Sequence, residues 1–305
     1  LHDALPILFI FSRTILQIAG ARGGVLELSN AYTRITIIAI FFNMLINIIS
    51  SILRGYGNTY TPFVASLIVA ALKIVFDLAL IFGIAAPKMG VIGAAVASVI
   101  SQFFGFIFLL LYLLIKSKVK IRLRYMIKLH TGKVKNLLFL AIPSSMEEAA
   151  FSTSRLLGTF IIMRAGTIPF AANQIANIVE SMSFMPGMGF GTAATTLVGM
   201  KIGERNYKKA KEYGYACAFG AMIMMGVFGI VFLLMPGFLV DLFVNEDERK
   251  VVYLASLCLF IGAFEQPSIA LSLVFSGALK GAGDAKSPFI VSLLTSWLIR
   301  VPLIF

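Results

Sequence analysis

Five acidic residues lie inside long apolar runs of this chain: Asp77, Glu147, Glu148, Glu180 and Glu265. An ionisable group in hydrocarbon costs about 2.5 kcal/mol or more, so each marks a functional site or an ion pair. Asp77 has Lys73 four residues before it, on the same helix face. Two chemistries fit this spacing. The pair neutralises itself and lets both charges tolerate burial, or the carboxylate is a cation site. An ammonium at that place repels Na⁺ and could itself take the part of a bound cation, which favours H⁺ as the exchanged ion. Glu147 and Glu148 follow Pro143 by four and five residues. Proline removes a helix hydrogen bond and bends the helix, so this region is expected to border a cavity. Glu147 is the acid expected to face it, and Glu148 the expected partner of Arg155.

A second polar group falls in the apolar stretch 171–200. Asn173, Asn177 and Glu180 share one helix face, and Gln174, Asn177 and Ser181 an overlapping one. Such a stripe serves hydrogen bonding between helices or contact with a polar substrate, and the sequence leaves both readings open. Pro186 and Gly187 follow it and mark a bend or hinge, as Pro143 does in the preceding segment. Glu265-Gln266-Pro267 repeats the theme further on. Met182, Phe184 and Met185 suit an adaptable apolar lining.

The elements that carry these groups are membrane helices. The chain is 59% hydrophobic and 13% charged, about half the charge of an average soluble protein. Apolar segments fall at 7–20, 31–53, 62–86, 90–115, 137–163, 171–200, 214–240, 251–279 and 288–305. Complete runs of this length cross a bilayer as helices, and the ~10-residue alternation of a membrane β-barrel is not seen. Between 116 and 136 lies a basic stretch, read as a cytoplasmic linker between an N-terminal lobe (1–115) and a C-terminal lobe (137–305). With the linker inside, sixteen of the 26 Lys and Arg residues fall on the cytoplasmic side, as the positive-inside rule requires.

The same rule explains the net charge of +12 without nucleic acid. Cys217 and Cys258 lie in apolar runs and give no disulfide framework. His2 and His130 fall outside the apolar segments, so no intramembrane histidine metal site is expected, and the only metal considered is Na⁺ at Asp77. G-x-G occurs at 55–57 and 281–283 without a strand-turn-helix unit or a Walker motif. No catalytic grouping is present, and a non-enzymatic role without a cofactor is expected.

Those two G-x-G turns are copies of each other. Leu53-Arg54-Gly55-Tyr56-Gly57-Asn58-Thr59-Tyr60-Thr61-Pro62-Phe63 returns as Leu279-Lys280-Gly281-Ala282-Gly283-Asp284-Ala285-Lys286-Ser287-Pro288-Phe289, and Ser66-Leu67 as Ser292-Leu293. The offset is constant, and each copy joins two apolar segments. Duplicated helix bundles are a hallmark of secondary transporters.

The copied turn resembles that of the multidrug and toxic compound extrusion (MATE) transporters. So do Asp77-Leu78-Ala79-Leu80-Ile81-Phe82-Gly83, the run Gly90 to Gln102, Gln174-Ile175-Ala176, Ser183-Phe184-Met185-Pro186-Gly187 and Ala193 to Gly199. The resemblance implies an all-α polytopic membrane fold of two pseudo-symmetric lobes with six helices each. By that map this chain runs from the end of helix 3 into helix 11, about nine helices. It implies export of amphipathic, often cationic compounds in exchange for H⁺ or Na⁺, by a monomer in the inner (plasma) membrane.

The resemblance also assigns residues. An acid matching Asp77 and a hydroxyl matching Ser98 hold the coupling cation in the family, together with an Asn at the position of Lys73 and a helix-1 Asp. Lys73 departs from that pattern. Glu147, Asn173, Gln174, Asn177, Glu180, Glu265 and Gln266 are the expected cavity residues. The rival within the same wider superfamily is a flippase of lipid-linked oligosaccharides. Its cavity would need several basic residues for a pyrophosphate.

Overall fold

The computed structural model describes residues 11–14, 16–17, 22–84, 87–116, 131–244 and 248–304. The chain divides into two units, Leu1–Lys128 and Leu129–Phe305. The division falls within the basic stretch 116–136, of which 117–130 lie outside the described residues. All elements among the described residues are helical.

The first unit holds α1 (Gly23–Gly55), α2 (Tyr60–Phe82) and α3 (Val91–Ile115). Helix α3 packs on both of the others, and its sequence shows why. Gly93, Ala97, Ser101, Gly105, Leu109 and Leu113 recur every fourth position and are all buried. Lipid tails are as apolar as leucine, so helices associate through close packing, which small residues permit. A Cβ on Gly93 would lie 2.7 Å from the Leu80 carbonyl oxygen of α2. The large apolar side chains point the other way: Ile74, Val75 and Leu78 of α2 are exposed, as a lipid solvent demands. Helix α2 stops at Gly83, whose left-handed φ of 80° ends the helix.

The second unit holds α4 (Thr131–Arg164), α5 (Thr167–Gly203), α6 (Tyr207–Leu234), the short α7 (Pro236–Asp241), α8 (Arg249–Gly281) and α9 (Lys286–Ile304). Helices α5, α6 and α8 pack together, and α9 packs on α4. Ala172, Ala176, Ser183, Gly187, Gly191 and Ala194 form the buried stripe of α5. At Gly277 of α8 a Cβ would collide with the Gly191 carbonyl, and Thr195 Oγ1 donates to the Gly277 oxygen at 2.8 Å. Helix α9 contains a π-helical stretch, Thr295–Arg300. There Ser154 Oγ donates to the Ser296 oxygen at 3.1 Å and Trp297 Nε1 to the Ala150 oxygen at 3.3 Å, tying α9 to α4.

Among the described residues six helices are long and apolar enough to cross a membrane: α1, α2, α3, α6, α8 and α9. Helices α4 and α5 are longer still, at 34 and 37 residues. They carry Glu147, Glu148, Glu180, Arg155 and the Asn/Gln stripe, so their composition alone does not mark them. Several boundaries differ from the apolar segments, among them the start of α6 at Tyr207 instead of 214. Helix α1 begins at Gly23 instead of 31, and α4 at Thr131 instead of 137, because polar residues continue a helix beyond the hydrocarbon. The segment 214–240 breaks at Met235, where Pro236 starts a new helix.

The two copied turns have the same geometry. Gly57 has φ 80° and Gly283 φ 89°, a backbone that only glycine adopts cheaply. Asn58 N donates to the Leu53 oxygen at 2.9 Å, and Asp284 N to the Leu279 oxygen at 2.9 Å. Each polar side chain then receives an amide of the next helix: Thr61 N reaches Asn58 Oδ1 at 3.1 Å, and Ser287 N reaches Asp284 Oδ1 at 3.0 Å.

Candidate functional site

In the first unit the sequence places Lys73 and Asp77 one turn apart on α2, where α3 comes close through Gly93. Lys73 Nζ lies 2.7 Å from both carboxylate oxygens of Asp77. Its third contact is the Ala94 oxygen of α3 at 3.4 Å. Ser98 Oγ donates to that same oxygen at 2.9 Å. Lys73 and Ser98 therefore meet at one carbonyl, Asp77 is joined to it through Lys73, and the Ser98 hydroxyl is aimed at its own helix. The two charged side chains keep 34% and 29% of their surface, so the pair is neither dry nor fully in solvent. A second unit charge about 4 Å from the ammonium would meet about 4 kcal/mol of repulsion at an effective dielectric near 20.

Neutral polar groups continue the site along α3. Gln102 is one turn beyond Ser98, and Asn43 Nδ2 of α1 donates to its Oε1 at 3.4 Å. Asn47 Nδ2 in turn donates to Asn43 Oδ1 at 2.8 Å. Sequence reasoning did not select these residues. The available signal was a pair of asparagines four apart inside an apolar segment.

In the second unit the Glu147 side chain is only 14% exposed. Lys280 Nζ, at the copied turn, stands 2.9 Å from its Oε2 in an ion-pair contact, and Ser276 Oγ donates to Oε1 at 3.1 Å. The acid expected to face a cavity is thus tied to the end of α8. Glu148 is exposed, and no ion pair joins it to Arg155, whose guanidinium sits 6.0 Å from the Phe151 ring. The expected pairing fails because seven positions are about 10 Å of helix and both side chains point outward.

The polar stripe of α5 lies against α8. Asn173, Asn177 and Glu180 are half-buried and Gln174 is exposed. Asn177 Nδ2 donates to the Asn173 oxygen at 2.7 Å. The Glu180 carboxylate occupies the space that a side chain at Gly262 would fill. Gln266 is 2% exposed. Its Oε1 accepts from Ser183 Oγ at 2.6 Å, and its Nε2 donates to the Gly262 oxygen at 3.2 Å, so it sits in the α5–α8 interface. Glu265, the next residue, is exposed. Met182 and Met185 are exposed and Phe184 half-buried.

Pro143 and Pro186 lie within continuous helices. Gly187 is buried, and a Cβ there would stand 2.6 Å from Met225 Sδ. A cleft of about 400 Å³ opens in the first unit beside Arg13, Glu27, Asn30 and Arg34. None of the residues singled out for coupling lines it. Among the described residues no group of three or more His, Cys, Asp or Glu side chains could hold a metal ion. In the turn before α9, hydrogen bonds from Ser287 hold the Asp284 carboxyl below the usual aspartate range.

Small-residue stripes, lipid-facing apolar side chains and ion pairs within long helices define a polytopic helical membrane protein. A family profile, MatE, matches residues 4–79 and 143–305, and the chain belongs to that family, the MATE transporters. A probable multidrug resistance protein NorM of Thermotoga maritima is 32% identical over 263 residues, 85% of this chain and 55% of its own. A probable multidrug resistance protein YoeA of Bacillus subtilis is 27% identical over 301 residues, 97% of this chain and 64% of its own. The chain thus spans 55% and 64% of these relatives' lengths. An outward-facing multidrug resistance MATE family transporter of the MOP superfamily matches with TM-score 0.88 at 21% identity, covering 98% of this chain and 66% of that one. A variant of the Vibrio cholerae MATE transporter VcmN matches with TM-score 0.90 at 15% identity, covering 99% and 67%. At these identities the solved structures speak to the fold.

Proposed function

We propose that the full-length protein is a secondary active antiporter. It exports amphipathic, cationic compounds in exchange for H⁺ or Na⁺ by alternating access. The observation that carries this reading is the Lys73–Asp77 pair, a charged group bonded across α2 and α3 inside otherwise apolar helices. A soluble-type structural role has no need of it, and an ion path does. Asp77 is the coupling acid, with Lys73 and Ser98 as its partners. Asn173, Gln174, Asn177, Glu180 and Glu265 present polar and acidic groups to the cargo. Glu147, held by Lys280, and Gln266, held by Ser183, set the charge and shape around them. Pro143, Pro186 and Gly187 let the long helices flex. The protein works as a monomer in the inner (plasma) membrane, with 116–136 on the cytoplasmic side. Each ligand must bind one state of the cycle better than the other, or no exchange follows.

Cationic cargo is favoured over the pyrophosphate of a lipid-linked sugar. Lys73 and Lys280 are each bound to a carboxylate, so neither offers an unpaired positive charge to a phosphate. The test is ethidium transport by the full-length protein in proteoliposomes, with pH and Na⁺ gradients imposed one at a time. Acceleration by either gradient supports antiport. Equal rates under both gradients and under none would rule it out.

A further inference from the structure

We propose that Lys73 is a built-in cation that keeps Na⁺ out of the Asp77 site, so that Na⁺ is not the ion exchanged there. This rests on the antiport reading and sharpens it. A lysine ammonium has three N–H donors and no acceptor. Here three acceptors surround it: Asp77 Oδ1 and Oδ2 at 2.7 Å each and the Ala94 oxygen at 3.4 Å. Its hydrogen-bonding capacity is used in full by the oxygens that a hard cation would need as ligands. The fourth oxygen nearby, Ser98 Oγ, donates its proton to the Ala94 carbonyl, and its lone pairs are the one acceptor there that the ammonium does not use.

The ammonium cannot diffuse away, because one helical turn tethers it to the carboxylate it serves. Among the described residues of α2 and α3 no other charge relieves it. Lys73 is the only basic residue of α2, and α3 carries no charged residue at all. On α1 the charged residues are Glu27, Arg34 and Arg54. The groups of α1 seen bonded to α3 are the neutral Asn43 and, through it, Asn47. A sodium ion would have to displace the ammonium and then remain beside it. Lys73 is thus a specificity-determining residue.

The experiment is ²²Na⁺ binding to the purified full-length protein, which needs no transported substrate. The wild type and Asp77→Asn are expected to bind the same amount, whatever other Na⁺ sites exist. Lys73→Asn is expected to gain binding roughly a hundredfold or more tighter than wild type, the scale of a like-charge contact removed at about 4 Å. Lys73→Asn combined with Asp77→Asn should lose that gain. Lys73→Gln serves if the asparagine variant is not monodisperse. Wild-type binding that Asp77→Asn abolishes would overturn the proposal. So would a well-folded Lys73 variant that gains nothing. Ethidium transport driven by a gradient could survive either result, so failure here is distinct from failure of the antiport reading.

Discussion

The two acid–lysine pairs are built differently, and the difference separates a proposed ion site from an architectural tie. Lys73 and Asp77 are neighbours on one helix, each about one third exposed. Glu147 is 14% exposed and takes its lysine from another helix, at the end of α8. The first pair makes one contact with another helix, at the Ala94 oxygen, and is the ion site proposed above. The second fastens α4 to the copied turn and shields a carboxylate that would otherwise be buried alone.

The largest effect should come from removing one partner of the second pair. Lys280→Met leaves Glu147 uncompensated and should cost about 3 kcal/mol or more, read as lost thermal stability in detergent. Adding Glu147→Gln should recover most of it. Lys73→Met, by contrast, should cost less, because Asp77 keeps 29% of its side-chain surface against 14% for Glu147. Equal losses at the two lysines would erase the distinction. Next comes the α5–α8 contact: Gly277→Val pushes side-chain atoms into the Gly191 carbonyl and should cost about 2 kcal/mol. A neutral result would show that the two helices are not held at glycine distance.

The copied turns sharpen the comparison further. Asn58 gives its amide to Thr61 Oγ1 and Tyr112 OH, both at 2.9 Å, while Asp284 binds Ser287 Oγ at 2.5 Å. Asn58→Ala removes a cap and a link to α3 and should cost about 1 kcal/mol. The smallest effect is a pH dependence confined to the second copy. The Asp284 carboxyl is held below its ordinary range by Ser287, so its folded value is lower than its unfolded one. Its contribution is complete above the usual aspartate range and fades as pH falls through the folded value. Amide exchange at Ser287 should therefore speed up in acid relative to exchange at Thr61. Asp284→Asn should remove the difference, and its persistence would refute the assignment.

Features close together in sequence were legible before the structure. Lys73 and Asp77 announce their pairing by a spacing of four, and Gly57 and Gly283 announce a turn by their repeat. Partners set by tertiary packing were not. Ser276 and Glu147 are 129 positions apart, and nothing in either segment selects the other. The polarity of Gln266 is visible in the sequence, while its bond to Ser183 of α5 is not. The Glu148–Arg155 expectation failed on distance along the helix. Asn43 and Gln102 were passed over because neutral amides in apolar runs give a weaker signal than charges, although they meet across α1 and α3.

The most direct test of the account is the transport rate of the full-length protein carrying Asp77→Asn, measured as ethidium movement in proteoliposomes under the gradient that drives the wild type. The account predicts a loss of about tenfold or more, the scale of one charge interaction removed from the coupling step. An undiminished rate would contradict it.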